Sequence, residues 1–209
     1  MNSSDGRRKT ISLVASLLLF SALAGYCGSR ESVRPSTWAR PIEIDGVPNL
    51  HKVSDTLFRS GQPSPEGLKA LAALGIKTII NLRSMHPAAE ETASAGLNYV
   101  EIPSRATSVK KADVLRFLAA VTESSGGPYL VHCHHGADRA GLMVAAYRVV
   151  VQNWTKEEAI REMKTGGYGF HSVYSNIVRF IRRLDAAEYR KALAKLKKNI
   201  DSAGEIVIN

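Results

Sequence analysis

The chain has 209 residues, of which 44% are hydrophobic and 22% are charged. This length and composition suffice for one globular domain, and they exclude a fibrous protein and an intrinsically disordered chain. The formal net charge of +9 makes the chain basic, but its C-terminal lysines and arginines lack the interleaved aromatic series of a base-stacking surface, so no nucleic-acid partner is predicted.

The first 27 residues have the pattern of an export signal. Basic residues at positions 7–9 precede an apolar stretch, residues 11–24, which is shorter than the ~20 residues of a membrane-spanning helix. We therefore expect the protein to be exported, to the periplasm or otherwise outside the cytoplasm. An uncleaved membrane anchor is one alternative. Lipid attachment at Cys27 is another, although Tyr26 occupies a position where a lipidation motif has a small residue.

Residues 28–45 lack hydrophobic periodicity and contain two prolines, so we expect a linker there and the folded domain at residues 46–190. A short strand pair is expected around residues 53–59. A helix should begin after Ser64, with a proline at its first position, and end at Gly75. Residues 191–209 are interpreted as a basic helix end and tail.

Strands and helices alternate along the next part of the chain. Strands are predicted at residues 76–81, 98–102 and 128–132, and helices at 87–95 and 108–122. Three further helices are predicted at residues 139–152, 155–164 and 172–197, the second with a capping box of Thr155 and Glu158. Alternation with short links predicts an α/β fold with a central, mostly parallel sheet flanked by helices.

The segment Val131-His-Cys-His-His-Gly-Ala-Asp-Arg139 lies between the last predicted strand and the next helix. A loop that wraps onto a helix N-terminus turns backbone N–H groups inward, and the helix dipole adds about half a positive charge, so such a loop binds phosphate. Gly136 permits the tight curvature. The loop residues predicted to bind substrate are His134, His135, Gly136 and Ala137.

Cys133 and Arg139 stand at the two ends of this loop. A cysteine beside a helix N-terminus and a guanidinium loses its proton readily and becomes a nucleophile. Arg139 can hold two phosphoryl oxygens in a bidentate fork, which a lysine does less well. The pattern therefore predicts nucleophilic catalysis on a phosphate ester, with Cys133 and Arg139 as catalytic residues. If Cys27 is removed or lipidated, Cys133 is also the only thiol left, which excludes an intrachain disulfide.

This segment resembles the signature loop of the protein tyrosine and dual-specificity phosphatases, which reads His-Cys, five residues, Arg and then Ser or Thr. Residues 58–63, 81–83 and 141–148 are similar to bacterial phosphatases related to the plant and fungal atypical dual-specificity group, and the likeness covers roughly residues 46–185. The resemblance implies a hydrolase without metal or cofactor, in which Cys133 takes the phosphoryl group as a thiophosphate and water then releases it. The implied substrate is a phosphoprotein or a phosphorylated small molecule such as an inositol phosphate.

Two positions depart from the family pattern. Ala140 replaces a hydroxyl residue that helps the cysteine sulfur to leave, so slow turnover is expected. Residues 102–108 contain no aspartate where the family has its general acid. Asp138 is the preferred substitute and Asp113 the second, while a reaction without a dedicated acid, or a purely structural Asp138, are the alternatives.

Arg83 and Arg105 each follow a predicted strand, as Cys133 does. Because ligands bind beyond the carboxyl ends of parallel strands, all three residues should gather at one sheet edge. The two arginines are therefore predicted to bind a second anionic group of the substrate. The alternative is that they are ordinary surface arginines in loops.

Other functions are less well supported by the pattern. The histidines next to Cys133 are adjacent in a tight loop and cannot easily converge on one ion, so no metal site is predicted. Rhodanese-type sulfur transfer does not fit, because those loops are usually one residue shorter. A phosphate-binding protein with little turnover is the main alternative function. A membrane is expected as a partner only through the N-terminal segment, and the oligomeric state stays open.

Overall fold

The computed structural model describes residues 34–84 and 89–203. The expected export signal, Cys27 and the last six residues of the tail lie outside the described residues. The part of the chain from Pro35 onward groups into one compact unit. None of the helices described in it is both long and apolar enough to cross a membrane.

Six strands form one mixed sheet in the order β1-β2-β3-β6-β4-β5. Their bounds are β1 Arg40–Pro41, β2 His51–Lys52, β3 Leu57–Ser60, β4 Thr78–Asn81, β5 Asn98–Glu101 and β6 Tyr129–His132. Strands β3, β6, β4 and β5 pair in parallel, and the short β1 and β2 are antiparallel at one edge. The predicted mostly parallel sheet is therefore confirmed.

Seven helices are described around this sheet. They are α1 Pro65–Ala73, α2 Ala89–Ser94, α3 Lys111–Val121, α4 Asp138–Val150, α5 Lys156–Thr165, α6 Ser175–Arg183 and α7 Ala186–Ala203. The helix starts predicted at Ser64 and Thr155 are confirmed. At the start of α1 the Ser64 hydroxyl accepts a hydrogen bond from the Gly67 N–H, and at the start of α5 Thr155 and Glu158 form a reciprocal capping box.

Alternate residues of the central strands enter two separate cores. Phe58, Ile79 and Leu130 pack with the apolar residues of α1, whereas Leu57, Ile80 and Val131 pack with those of α3 to α7. Because successive strand residues point to opposite faces, the sheet is covered by helices on both sides. Both faces of β3, β4 and β6 are buried.

Two predicted boundaries differ from the structure. The linker expected at residues 28–45 overlaps the sheet, because β1 pairs with β2 and the buried Ala39 N–H donates to Glu162 Oε1 at 2.7 Å. The folded body thus begins before residue 46. The single helix predicted at residues 172–197 is two helices, because Leu184 is extended and the Asp185 carboxylate accepts hydrogen bonds from the first turn of α7.

Candidate active site

The parallel strands bring their carboxyl ends to one edge of the sheet. Ser60 and Asn81 are both in register with His132 at the end of β6, and Asn81 is in register with Glu101 at the end of β5. The chain segments that follow these four strands therefore meet at this edge, which is where open parallel sheets bind ligands. Cys133 is the first residue after β6.

The loop between β6 and α4 has each of its carbonyls from position 134 to 137 hydrogen-bonded by a donor outside the loop. The pairs are Gln62 N–H to His134 O (3.0 Å), Asn49 Nδ2 to His135 O (2.8 Å), and Arg59 Nη2 to Gly136 O (2.6 Å) and Ala137 O (3.2 Å). In a trans peptide the C=O and the following N–H point in opposite directions. With the carbonyls held outward, the N–H groups of positions 135–138 face the concave side, as in an anion-binding nest.

Gly136 is required at its position in this loop. Its φ of +73° lies in the left-handed region, and a Cβ there would come within 2.5 Å of the Ser60 carbonyl carbon and 2.6 Å of the Gly61 nitrogen. Because both contacts are with the backbone at the end of β3, no side chain could be accommodated without moving a strand.

Cys133 is a free cysteine with an exposed fraction of 3%, and it lines a cavity of about 400 Å³. The lining includes Ser84, Ser104, Arg105, His134, His135, Asp138, Arg139 and Tyr174. His134 and His135 are exposed, and their rings meet edge to face at the cavity. The cavity thus places a buried thiol beneath backbone donors and cationic side chains.

The Arg139 guanidinium is anchored to the carboxyl ends of two other strands. Its Nη1 donates to Leu82 O at 3.1 Å and to Ser104 O at 3.4 Å, beyond β4 and β5 respectively. These two contacts orient the planar fork over the cavity that contains Cys133. An oriented fork is the arrangement that a bidentate contact with phosphoryl oxygens needs.

Arg83 and Arg105 reach the same sheet edge, as predicted. Burial lowers the pKa of Arg83, the neighbouring Arg139 lowers it further, and Cys133 acts in the opposite direction, which places Arg83 in the electrostatic field of both. Arg105 lines the Cys133 cavity and also a second cavity of about 370 Å³, which contains Lys110 and Asp113. Arg105 therefore stands on the wall that the two cavities share.

Of the two candidate acids, Asp138 lines the Cys133 cavity and Asp113 lines the second cavity instead. Burial raises the pKa of Asp113. Both carboxylate oxygens of Asp138 contact His171: Oδ1 accepts the His171 backbone N–H at 2.9 Å, and Oδ2 lies 2.8 Å from the ring Nδ1. Asp138 therefore lies at the cavity that Cys133 lines, and its carboxylate is held by His171.

His132 is buried at the end of β6, and burial is the largest influence on its ring. It lowers the pKa of His132 to about 4, so the imidazole is neutral at pH 7. The ring Nδ1 has no hydrogen-bond partner among the residues that the structure describes. A neutral ring directly before Cys133 adds no positive charge to the loop.

Several contributors to the site were not found by sequence reasoning. Asn49 and Arg59 hold the loop carbonyls, and His171 holds Asp138, each from a distant part of the chain. Ser104 is buried in the cavity wall, and its hydroxyl has no partner within the described ranges. No group of three or more His, Cys, Asp or Glu side chains that could hold a metal ion occurs in the described part of the chain.

Comparison with known proteins gives the family. The family described as "DSP-PTPase phosphatase fused to NAD+ kinase" matches residues 44–179. This chain belongs to the dual-specificity phosphatases. The phosphatase is 33% identical to dual specificity protein phosphatase TpbA of Pseudomonas aeruginosa, over 87% of this chain and 84% of TpbA. It is 27% identical to inositol diphosphatase DSP5 of Arabidopsis thaliana, over 70% of this chain and 74% of that protein.

Solved structures agree with this assignment. The crystal structure of P. aeruginosa TpbA matches the phosphatase with a TM-score of 0.69 and 32% identity, covering 77% of this chain and 99% of TpbA. The catalytic core of SIW14 from S. cerevisiae shares the fold, with a TM-score of 0.65 and 21% identity, covering 74% and 96% of the two chains. The predicted cysteine-based phosphatase is confirmed, and nothing supports the alternative of a binding protein without turnover.

Proposed function

We propose that this phosphatase hydrolyses phosphomonoesters that carry a second anionic group close to the phosphoryl group being cleaved. This proposal rests on the position of Arg105. Its side chain lies on the wall between the Cys133 cavity and a second cavity, which is also lined by Lys110. Two related substrates meet this description, a phosphotyrosine flanked by acidic residues and an inositol polyphosphate. A crystal structure of TpbA contains bound phosphotyrosine, and the plant relative DSP5 is an inositol diphosphatase.

The reaction that fits the site has two steps. The Cys133 thiolate attacks phosphorus opposite the leaving oxygen, so that a P–S bond forms while the P–O bond breaks and the leaving oxygen takes a proton. Water then attacks the thiophosphate, the P–S bond breaks, and inorganic phosphate and the thiolate are released. In both steps the loop N–H groups and the Arg139 fork hold the other phosphoryl oxygens and stabilise the developing charge.

A second anionic group on the substrate should make activity depend on Arg105 and Arg83. For an inositol hexakisphosphate or an acidic phosphotyrosine peptide, we expect Arg105→Ala to lower kcat/KM about tenfold, since one charge-assisted hydrogen bond is lost. Arg83→Ala should act in the same direction. In Arg105→Ala, hydrolysis of 4-nitrophenyl phosphate, which has no second anion, should stay within about twofold of the wild type.

Arg161→Ala is the matched control for this substrate panel, because Arg161 is exposed and lines a different cavity beside Trp38 and Trp154. It should leave every substrate unaffected. If Arg105→Ala and Arg83→Ala change the single-anion and multiple-anion substrates by the same factor, the second anion site is refuted.

We propose Asp138 as the proton donor to the leaving oxygen, with His171 as the group that positions its carboxyl. Asp138→Asn should slow hydrolysis of phenyl phosphate by about 100-fold and that of 4-nitrophenyl phosphate only a few-fold, because a good leaving group needs little protonation. Steady-state kcat with the two esters measures this difference. Asp113→Asn, from the second cavity, serves as the control and should change neither rate. Equal losses with both esters would mean that Asp138 acts structurally.

Ala140 is expected to limit the second step. It is fully buried in the first turn of α4, where a hydroxyl would stabilise the departing sulfur. We expect Ala140→Ser to accelerate thiophosphate hydrolysis about tenfold, which is the value of one hydrogen bond to a charged group. The wild type should then show a pre-steady-state burst of 4-nitrophenol, and the variant a smaller burst with a faster steady state. Ala146→Ser, equally buried in the same helix, should leave the burst unchanged, and an undiminished burst in Ala140→Ser contradicts the prediction.

We further propose that the phosphatase is exported, and that any association with a membrane arises through its N-terminal segment. The support is the basic and then apolar pattern of residues 7–24. To test the proposal, cells that express the full chain are fractionated, and the intact mass of the protein is measured in each fraction. A cytoplasmic product that retains Met1 contradicts it.

A further inference from the structure

Arg59 places a guanidinium beneath the Cys133 loop, inside the protein. Its exposed fraction is 1%. Its Nη2 donates to two consecutive loop carbonyls, at positions 136 and 137, and its guanidinium carbon lies 3.8 Å from the centroid of the Tyr168 ring. Arg59 belongs to β3, which pairs directly with β6, the strand that leads into Cys133. The residue that supports the loop therefore lies on the strand next to the one from which the loop begins.

The charge of Arg59 is not balanced by a carboxylate of its own. The buried carboxylate in this region, Glu162, is bound at both oxygens by Arg148, at 2.7 and 2.8 Å. It also accepts the Tyr168 hydroxyl at 3.1 Å and the Ala39 N–H at 2.7 Å. Two buried arginines and one buried glutamate leave a formal charge of +1, and since Glu162 is committed to Arg148, this charge resides on Arg59.

An isolated buried cation is costly unless an anion lies nearby. Burial is the largest influence on Arg59 and lowers its pKa, while Tyr168, Glu162 and Cys133 raise it. The Arg59 Nε has no hydrogen-bond partner in the described part of the protein. Glu162 is already paired with Arg148. The other two groups that favour the charged form of Arg59 are Tyr168 and Cys133.

We propose that Arg59 is a positioning residue that holds the carbonyls of Gly136 and Ala137 outward and is the buried counter-charge of the Cys133 thiolate. The first task keeps the N–H groups of positions 137 and 138 turned toward the phosphoryl group. The second task means that ionisation of Cys133 completes the charge balance of the core rather than adding an uncompensated charge. Both tasks follow from the cysteine chemistry of the loop and do not depend on which phosphomonoester is cleaved.

Two substitutions separate the tasks. The test uses a Cys27→Ser background, in which Cys133 is the only thiol. The rate at which iodoacetamide alkylates Cys133 is measured as a function of pH. The affinity for inorganic phosphate is measured from its protection of Cys133 against alkylation. Arg59→Met removes the charge and the donors, so the pH midpoint of alkylation should rise by about one unit or more, and phosphate should bind at least about tenfold more weakly. Arg59→Lys keeps the charge, but its ammonium lies one bond closer to the backbone than the Nη2 that donates to both loop carbonyls. The midpoint should therefore stay near that of the wild type while phosphate binding weakens.

Arg148→Lys is the matched control, because Arg148 is equally buried in the same network but does not touch the loop. It should lower the melting temperature without changing the alkylation midpoint or the affinity for phosphate. A folded Arg59→Met protein with the wild-type midpoint and phosphate affinity overturns the proposal, as does an equal loss of phosphate binding in Arg148→Lys and Arg59→Lys. If Arg59→Met does not fold, phosphate protection in Arg59→Lys decides, and undiminished protection overturns the proposal. Neither readout uses substrate turnover, so failure here is distinct from failure of the proposed substrate class.

Discussion

Cys133→Ser should abolish hydrolysis of 4-nitrophenyl phosphate, with a loss on the order of 10⁵-fold in kcat, because a serine hydroxyl in this loop is not ionised near neutral pH. Binding of inorganic phosphate should persist. The donors of the nest are backbone N–H groups, and their orientation depends on Gln62, Asn49 and Arg59 rather than on the sulfur. Steady-state kinetics and calorimetric titration with phosphate measure the two effects separately.

Cys27→Ser is the control for this substitution, since it removes the other cysteine of the chain. It should retain full activity. Residual hydrolysis above about one per cent in Cys133→Ser, beyond contamination by host enzymes, would show that another group can supply the nucleophile.

Arg139→Lys should lower kcat/KM by about 10³-fold, although it preserves the positive charge. Two carbonyls, Leu82 O and Ser104 O, fix the plane of the Arg139 guanidinium, and a planar fork meets two phosphoryl oxygens at once. A lysine ammonium is a point charge on a flexible stem and cannot reproduce that geometry. Because the Arg139 fork stabilises the transition state, its replacement should lower kcat. Steady-state kinetics with 4-nitrophenyl phosphate measure this loss.

Arg105→Lys provides the comparison, because Arg105 stands on the cavity wall, is exposed, and has no anchoring contact of the Arg139 kind among the described residues. With the same ester its effect should be within about threefold. A loss of less than tenfold in Arg139→Lys would mean that positive charge alone, and not the bidentate geometry, supports catalysis.

The centre of the site could be predicted because its elements are local in sequence. A buried strand, Cys133, Gly136, Arg139 and a helix follow one another within about twenty residues, and each has a backbone consequence that elementary geometry dictates. The gathering of Arg83 and Arg105 was also predictable, since it needs only the rule that parallel strands end at one edge.

The supports of the loop could not be predicted in the same way. Arg59 contacts the loop across 77 residues of sequence, Asn49 across 86, and His171 contacts Asp138 across 33. Such contacts depend on how strands and loops are placed in three dimensions, and no local pattern encodes them. Arg59 stands in a segment that the family resemblance includes, but its sequence context gives no sign that the side chain turns inward.

The differing element boundaries have local causes. Strand β1 has two residues, which is too short for an alternating pattern to be visible. The break before α7 did have a signal, because Asp185 is followed three positions later by Glu188, which is a helix-start pattern.

Hydrolysis through a phosphoryl group on Cys133 can be observed by rapid-quench mass spectrometry of the wild-type enzyme with 4-nitrophenyl phosphate. We expect one phosphoryl group per chain, on the peptide that contains Cys133. It should form within the first turnover and decay at the rate of the steady state. Ala140 should make this intermediate abundant, because the second step is slow. Multiple turnovers with no phosphorylated Cys133 at any time, or a phosphoryl group on another residue, would contradict this mechanism.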